Sequence, residues 1–370
     1  MPTSDIDYAF KLLLLYHMDR DTRKEEKPML DDMNVITQRD RSDALRLAEA
    51  TPKQLLHDFK AVVSSDKTFT SVVFAAMGGS ALQAEFVKTY PVLNVPFVIV
   101  KDYNLPNFVN ESTLVIVSSY SGNTEESLSA LEQAVQRGAT IAVMAGGGKL
   151  LEQATQQNLD HVVIPKAVQP RMAVLYAYRA LIELLVGYGL TPADTLQEIE
   201  RAVPALERAV KSWTKTVPTA ENPAKQLALQ LVGKSPIIYS GPLMAPAAYK
   251  WKISANENAK NTAWTGTLPE FNHNEFIGWS SHPVEKPFTV IDLLSSFEHP
   301  RTQKRFEVTD RLLSGMRPKA VEIHAVGETA IEQLLYLVIF GDFVTLYLGL
   351  LNGVDPSPVE LVERFKVELG

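Results

Sequence analysis

Short apolar, β-branched runs recur along this chain, separated by segments of helical length, and this alternation constrains the fold more than any other feature. In the first half the runs are Ser71–Met77, Val95–Val100, Thr113–Val117, Ile141–Ala145 and His161–Pro165. Thr124–Gly138 and Gly148–Asn158 lie between them and read as helices. A strand with one wet face alternates polar and apolar residues. These runs are apolar throughout, so they predict a parallel sheet covered by helices on both faces. An opening helix and an amphipathic helix over Asp43–Ser64 precede the series, and the apolar-striped Arg171–Leu190 closes it.

Turn signals at Thr191-Pro192-Ala193-Asp194 place a boundary there, giving domains 1–193 and 194–370. After helices over Thr195–Ser212 and Asn222–Gly233 the alternation resumes. Ser235–Gly241, Pro287–Leu294 and Ala320–Val326 read as strands, and Leu243–Lys260, Thr309–Met316, Ile331–Asn352 and Pro358–Leu369 as helices. The halves are alike in plan without a residue-level repeat. The expected class is α/β: two doubly wound domains, each a parallel sheet flanked by helices.

Charge and cysteine usage exclude several function classes. Lys plus Arg number 36 against 43 Asp plus Glu, a net charge of −7. This argues against nucleic acid and anionic membranes as partners, though not against a small anion in a local pocket. With no cysteine there is no disulfide, thiolate zinc site or Cys nucleophile. Leu334–Leu351 resembles a membrane span, but Asp342 at its centre makes a buried core helix the expected outcome. The first residues carry acids where a secretory leader needs bases, so a cytoplasmic location is expected.

Two turns in the first half suit an anion. Gly78-Gly79-Ser80 follows the first strand, and Ser119-Tyr120-Ser121-Gly122-Asn123-Thr124 follows the third. At each, a parallel strand hands over to a helix, where free N–H groups and the helix dipole favour negative charge. Glycine admits close backbone approach and hydroxyls donate to phosphate oxygens. Neither turn has the spacing of a nucleotide-binding loop. For either turn alone, helix capping is the plainer account; their pairing on successive crossovers favours a ligand. Gly146-Gly147-Gly148 reads mainly as a turn and helix start.

The second half concentrates polar residues between Trp251 and Trp279. Glu257, in Asn256-Glu257-Asn258-Ala259-Lys260, and His273, in Glu270-Phe271-Asn272-His273-Asn274-Glu275, are a carboxylate and an imidazole that a loop could bring together for acid/base work. Taken singly, each also reads as an ordinary surface or capping residue. The histidines form no HExxH or HxxH pair, so a metal site is not supported. Arg171 follows Pro170 at a helix start, an unusual place for a cation unless it faces an anion. Lys366 reads by default as a solvated lysine.

Together, Met77-Gly78-Gly79-Ser80-Ala81, the Ser119–Glu125 turn, Pro170-Arg171, Asn256–Lys260, Leu268–Glu275 and the ending Gly353-Val354-Asp355-Pro356 with Lys366 resemble the bifunctional phosphoglucose/phosphomannose isomerases of the sugar isomerase (SIS) superfamily. The resemblance covers roughly residues 70 to 370. It implies two SIS domains, no metal or organic cofactor, and a homodimer with its active site at the interface. It implies that Gly79, Ser80, Ser119, Ser121 and Thr124 hold the phosphate of a hexose 6-phosphate. By the same resemblance, Glu257 is the base, His273 helps open the sugar ring from across the dimer, Arg171 is the cation beside the enediolate, and Lys366 assists ring opening. Two departures lie beside the first turn: Ala76 in place of a usual glycine, and Ala81-Leu82-Gln83-Ala84-Glu85 in place of a small-residue, Asp-containing continuation.

The implied function is aldose–ketose isomerisation of glucose 6-phosphate and mannose 6-phosphate to fructose 6-phosphate through a cis-enediol. The alternatives are a non-catalytic sugar-phosphate-binding protein and an isomerase of another phosphosugar.

Overall fold

The computed structural model describes residues 28–64, 67–166, 169–281 and 287–369. The expected opening helix lies outside the described residues.

Nine strands form two parallel sheets among the described residues. β1 (Ser71–Ala75), β2 (Phe97–Val100), β3 (Thr113–Ser119), β4 (Thr140–Ala145) and β5 (Asp160–Val163) make the first, in the order β2-β1-β3-β4-β5. β6 (Ser235–Ser240), β7 (Trp264–Thr267), β8 (Phe288–Leu294) and β9 (Val321–His324) make the second, in the order β7-β6-β8-β9. All neighbours in both sheets run parallel. The doubly wound α/β class expected from the alternation is what the chain adopts. In each sheet the order steps backward once and then forward, which leaves a crevice at the carboxyl ends of the two central strands.

The helices in chain order are α1 (Met33–Arg39), α2 (Ala44–Ala50), α3 (Leu82–Val87), α4 (Glu125–Gln136), α5 (Gly148–Gln156), α6 (Val174–Gly187), α7 (Thr195–Arg201), α8 (Val203–Lys211), α9 (Pro223–Leu231), α10 (Ala245–Ala259), α11 (Glu275–Gly278), α12 (Pro300–Leu312), α13 (Ala330–Leu351) and α14 (Glu360–Leu369). Three elements differ from expectation. Asp43–Ser64 is not one helix, because Pro52 lacks the N–H that would continue α2, and Thr51–Leu56 is a 3-10 turn. α12 starts at Pro300, not near Thr309, with the His299 side chain accepting from Arg301 N at 3.1 Å as its cap. β7 has no counterpart among the expected strands.

The period-two side-chain alternation of each strand explains how the halves meet. Val72 and Phe74 of β1, Leu114 and Ile116 of β3, and Ile291 and Leu293 of β8 all join one continuous apolar core. Their neighbours Val73, Ala75, Val115 and Val117 face the other way, into a separate core under α4 and α5. The inner faces of both sheets therefore share one buried interior. α13 runs through it and packs mainly on α10 and α9. It is apolar and long enough to cross a membrane, yet 83% of its most apolar stretch is buried inside the protein. Asp342 within it meets the Lys250 ammonium and the Ser254 hydroxyl, which donates at 2.8 Å. A buried charge is tolerable when paired in this way.

Candidate active site

The two glycine-serine turns sit side by side because β1 and β3 are neighbours in the sheet. Ser80 Oγ accepts from Tyr120 N at 3.0 Å, tying one turn to the other. Within the second turn, Ser119 Oγ accepts from Gly122 N at 3.0 Å and lies 2.8 Å from Thr124 Oγ1. Ser121 Oγ lies 3.4 Å from Ser119 Oγ. The expected phosphate-binding residues are therefore clustered at the carboxyl edge of the sheet, at the start of α4, whose dipole favours an anion.

Geometry requires glycine at position 122 and leaves little room at position 79. Gly122 has φ +74°, and a Cβ there would run into the Gly147 carbonyl oxygen at 1.7 Å. The Gly146–Gly148 cluster thus serves as a brace: Leu150 N donates to Gly122 O at 2.9 Å and Lys149 N to Asn123 Oδ1 at 3.1 Å. Gly79 lies against Pro170 and Arg171, where a Cβ would stand 3.2 Å from the Arg171 backbone nitrogen.

Arg171 links this cradle to the second half. Its side chain is only 1% exposed. Nε donates to Asn258 Oδ1 at 2.7 Å, Nη1 to Glu257 Oε2 at 2.7 Å, and Nη2 to the carbonyls of Pro356 at 2.8 Å and Ser357 at 3.1 Å. Burial pushes the guanidinium below its ordinary pKa, and the adjacent Glu257 opposes that shift. Glu257 keeps 30% of its side chain exposed, so one carboxylate oxygen is held while the group still faces solvent. The planar guanidinium suits this role, since its donors leave in fixed directions. Because every nitrogen of Arg171 is engaged by protein groups, its influence on the site is exerted through Glu257.

Lys260 and Asn258 escape a reading of the sequence, though the polar block around Glu257 held the signal. Lys260 ends α10 with φ +51°. Its ammonium donates to the carbonyls of Glu257 at 2.7 Å, Asp355 at 2.9 Å and Pro356 at 3.3 Å. Burial first, and then the Arg171 charge, push its pKa down. Asn258 Nδ2 donates to Thr345 Oγ1 at 3.0 Å on α13, which fixes the amide that holds Arg171.

His273 and Lys366 are elsewhere in the single chain. β6 leads into α10, which returns antiparallel and carries Glu257 in its last turn. β7 then runs parallel to β6 and leads to the 3-10 turn Glu270–His273. Glu257 and His273 therefore lie beyond opposite ends of the second sheet. His273 is exposed. Its loop is anchored by Glu275, which accepts a short hydrogen bond from the Tyr239 hydroxyl. Lys366 is exposed on α14 and pairs with Glu363 at 2.8 Å rather than with Glu257.

Comparison with known proteins places the chain. Residues 220–369 match the model of the bacterial phospho-glucose isomerase C-terminal SIS domain. A bifunctional phosphoglucose/phosphomannose isomerase of Caldicellulosiruptor bescii is 36% identical over 304 residues, covering 80% of this chain and 89% of that one. One of Aquifex aeolicus is 33% identical over 311 residues, covering 83% and 93%. Among solved structures, a glucose-6-phosphate isomerase like protein from Thermus thermophilus superposes with a TM-score of 0.62 at 20% identity, covering 91% of this chain and 98% of that one, a likeness of fold. On this similarity of sequence along most of its length, the chain belongs to the bifunctional phosphoglucose/phosphomannose isomerase family.

Proposed function

We propose that this protein interconverts glucose 6-phosphate and mannose 6-phosphate with fructose 6-phosphate, with Glu257 as the proton carrier. The observation that carries the reading is the Arg171–Glu257 pair, which joins the carboxylate to the backbone lying against the Gly79 turn. The phosphate rests on the N–H groups and hydroxyls of Gly79, Ser80, Ser119, Ser121 and Thr124. This leaves the open-chain sugar to extend toward Glu257.

The Glu257 carboxylate removes the proton at C2 of the aldose, and the electron pair forms the C1–C2 double bond of a cis-enediolate. Protonation at C1 by the same carboxyl, with proton transfer between the two oxygens, gives the ketose. A carboxylate is a competent base for a proton next to a carbonyl, and positioned acid/base groups contribute about 10²–10⁴-fold. Arg171 holds one oxygen of Glu257 and so aims the carboxylate. Glucose and mannose 6-phosphates differ only at C2, so a planar enediolate reprotonated on either face serves both.

His273 acts in ring opening from the partner subunit of a homodimer, since within one chain it lies at the far end of the second sheet from Glu257. Lys366 assists from α14, whose approach is set by the Asp355–Ser357 segment that Arg171 and Lys260 hold.

The test is incubation with fructose 6-phosphate in D2O. The proposal expects both aldose 6-phosphates to form with deuterium at C2. Binding of fructose 6-phosphate without any aldose product would favour a non-catalytic sugar-phosphate-binding protein instead.

A further inference from the structure

Gln83 lies on α3, one turn beyond Ser80, and is 1% exposed. Its Nε2 donates twice: to the Ser80 carbonyl at 2.7 Å and to Ser118 Oγ at 3.1 Å. Ser118 is the next-to-last residue of the fully buried β3, directly before Ser119. The amide orientation follows from chemistry, since the reverse would set two carbonyl oxygens against each other at Ser80. Oε1 is buried without a hydrogen-bond partner among the described residues. Gln83 lines a small cavity together with Gly79, Ser80, Ser118, Tyr120 and Pro170.

We propose that Gln83 is a positioning residue for phosphate binding, one that sets the separation of the two turns gripping the phosphate. The proposal rests on the phosphate seat assigned above to those turns. Neighbouring strands are held at about 4.8 Å by their ladder, but the ladder ends where the turns begin. Beyond it, side-chain bridges must keep the turns in register. Gln83 supplies one bridge and the Ser80–Tyr120 bond another. The amide ties the first turn to the end of β3 that carries the second, so its loss loosens one against the other.

The experiment compares the parent with Gln83→Ala and Gln83→Glu, reading fructose 6-phosphate kinetics and the binding of inorganic phosphate. In Gln83→Ala, KM and the phosphate Kd are expected to rise together by about 10-fold, with kcat within about two-fold, as for loss of uniform binding. A merely structural loss would lower the active fraction, hence apparent kcat, and leave KM and Kd in place. Gln83→Glu adds a pH signature. When protonated, its carboxyl can still donate to Ser80; when ionised, it repels both that carbonyl and the phosphate. Phosphate binding by Gln83→Glu is therefore expected to weaken relative to the parent as pH rises. KM and Kd for Gln83→Ala within about two-fold of the parent, or a parental pH profile for Gln83→Glu, would overturn the proposal. A parent that neither binds phosphate nor turns over the sugar would instead remove the seat itself, and this role with it.

Discussion

Arg171 Nη1 donates to Glu257 Oε2 at 2.7 Å, and the two residues belong to opposite halves of the chain. The same arginine lies against the Gly79 turn through its backbone and holds the Pro356 and Ser357 carbonyls through Nη2. One residue thus connects the proposed phosphate seat, the proposed base and the segment leading to α14.

Replacing Arg171 should therefore cost activity and stability together. Arg171→Ala leaves the Glu257 carboxylate, the Asn258 amide oxygen and the Ser357 carbonyl without this donor and opens a void where a buried side chain stood. Arg171→Lys is expected to fail as a rescue, because one ammonium nitrogen cannot stand where three separate guanidinium nitrogens meet Asn258, Glu257 and the Pro356 and Ser357 carbonyls. Both variants should lose at least about 100-fold in kcat/KM. Arg171→Lys with parental kinetics would show that charge alone, without the fork, suffices.

The separation of Glu257 and His273 gives a complementation test. Glu257→Gln and His273→Ala homodimers should each be nearly inactive. Mixed and allowed to exchange subunits, they should recover about a quarter of parental activity: half the dimers are mixed, and each mixed dimer rebuilds one of its two sites. No recovery, despite verified subunit exchange, would place His273 within its own chain's site.

Asp292 on β8 predicts a pH dependence of stability. Burial raises its pKa to about 7, with the nearby Arg317, 3.8 Å away, opposing the shift. A folded-state pKa above the unfolded value means that the folded protein binds the extra proton. The stability this contributes is present below the unfolded pKa near 3.8 and is lost as pH rises through about 7. Its share amounts to as much as about 1.4 kcal/mol per pH unit inside that window. Asp292→Asn should lack this slope when denaturant melts are compared across roughly pH 4–8. A variant with the parental slope would assign the dependence to other groups.

Much of this was legible in the sequence, for physical reasons. The central strands announced themselves because both of their faces are buried, which forces continuous apolar runs. The two glycine-serine turns were legible because a tight strand–helix junction gathers Gly, Ser and Thr in a few consecutive positions. β7 was not legible: Trp264–Thr267 is a half-exposed edge strand, and its residues carry no apolar run. The start of α12 was hidden because only Thr302, Phe306 and Thr309 along it are buried, too thin a stripe to mark a helix. The engagement of Arg171 was hidden for another reason. Two of its acceptors are backbone carbonyls, which any residue carries, and its partner Glu257 is brought near only when two separate sheets share one core.

The central claim is that Glu257 moves the proton, and Glu257→Gln tests it most directly. The amide preserves shape and can still meet Arg171, but it cannot accept the C2 proton. Conversion of glucose 6-phosphate to fructose 6-phosphate is expected to fall by at least about 100-fold, with phosphate binding close to the parent. Turnover near the parental rate would contradict the account.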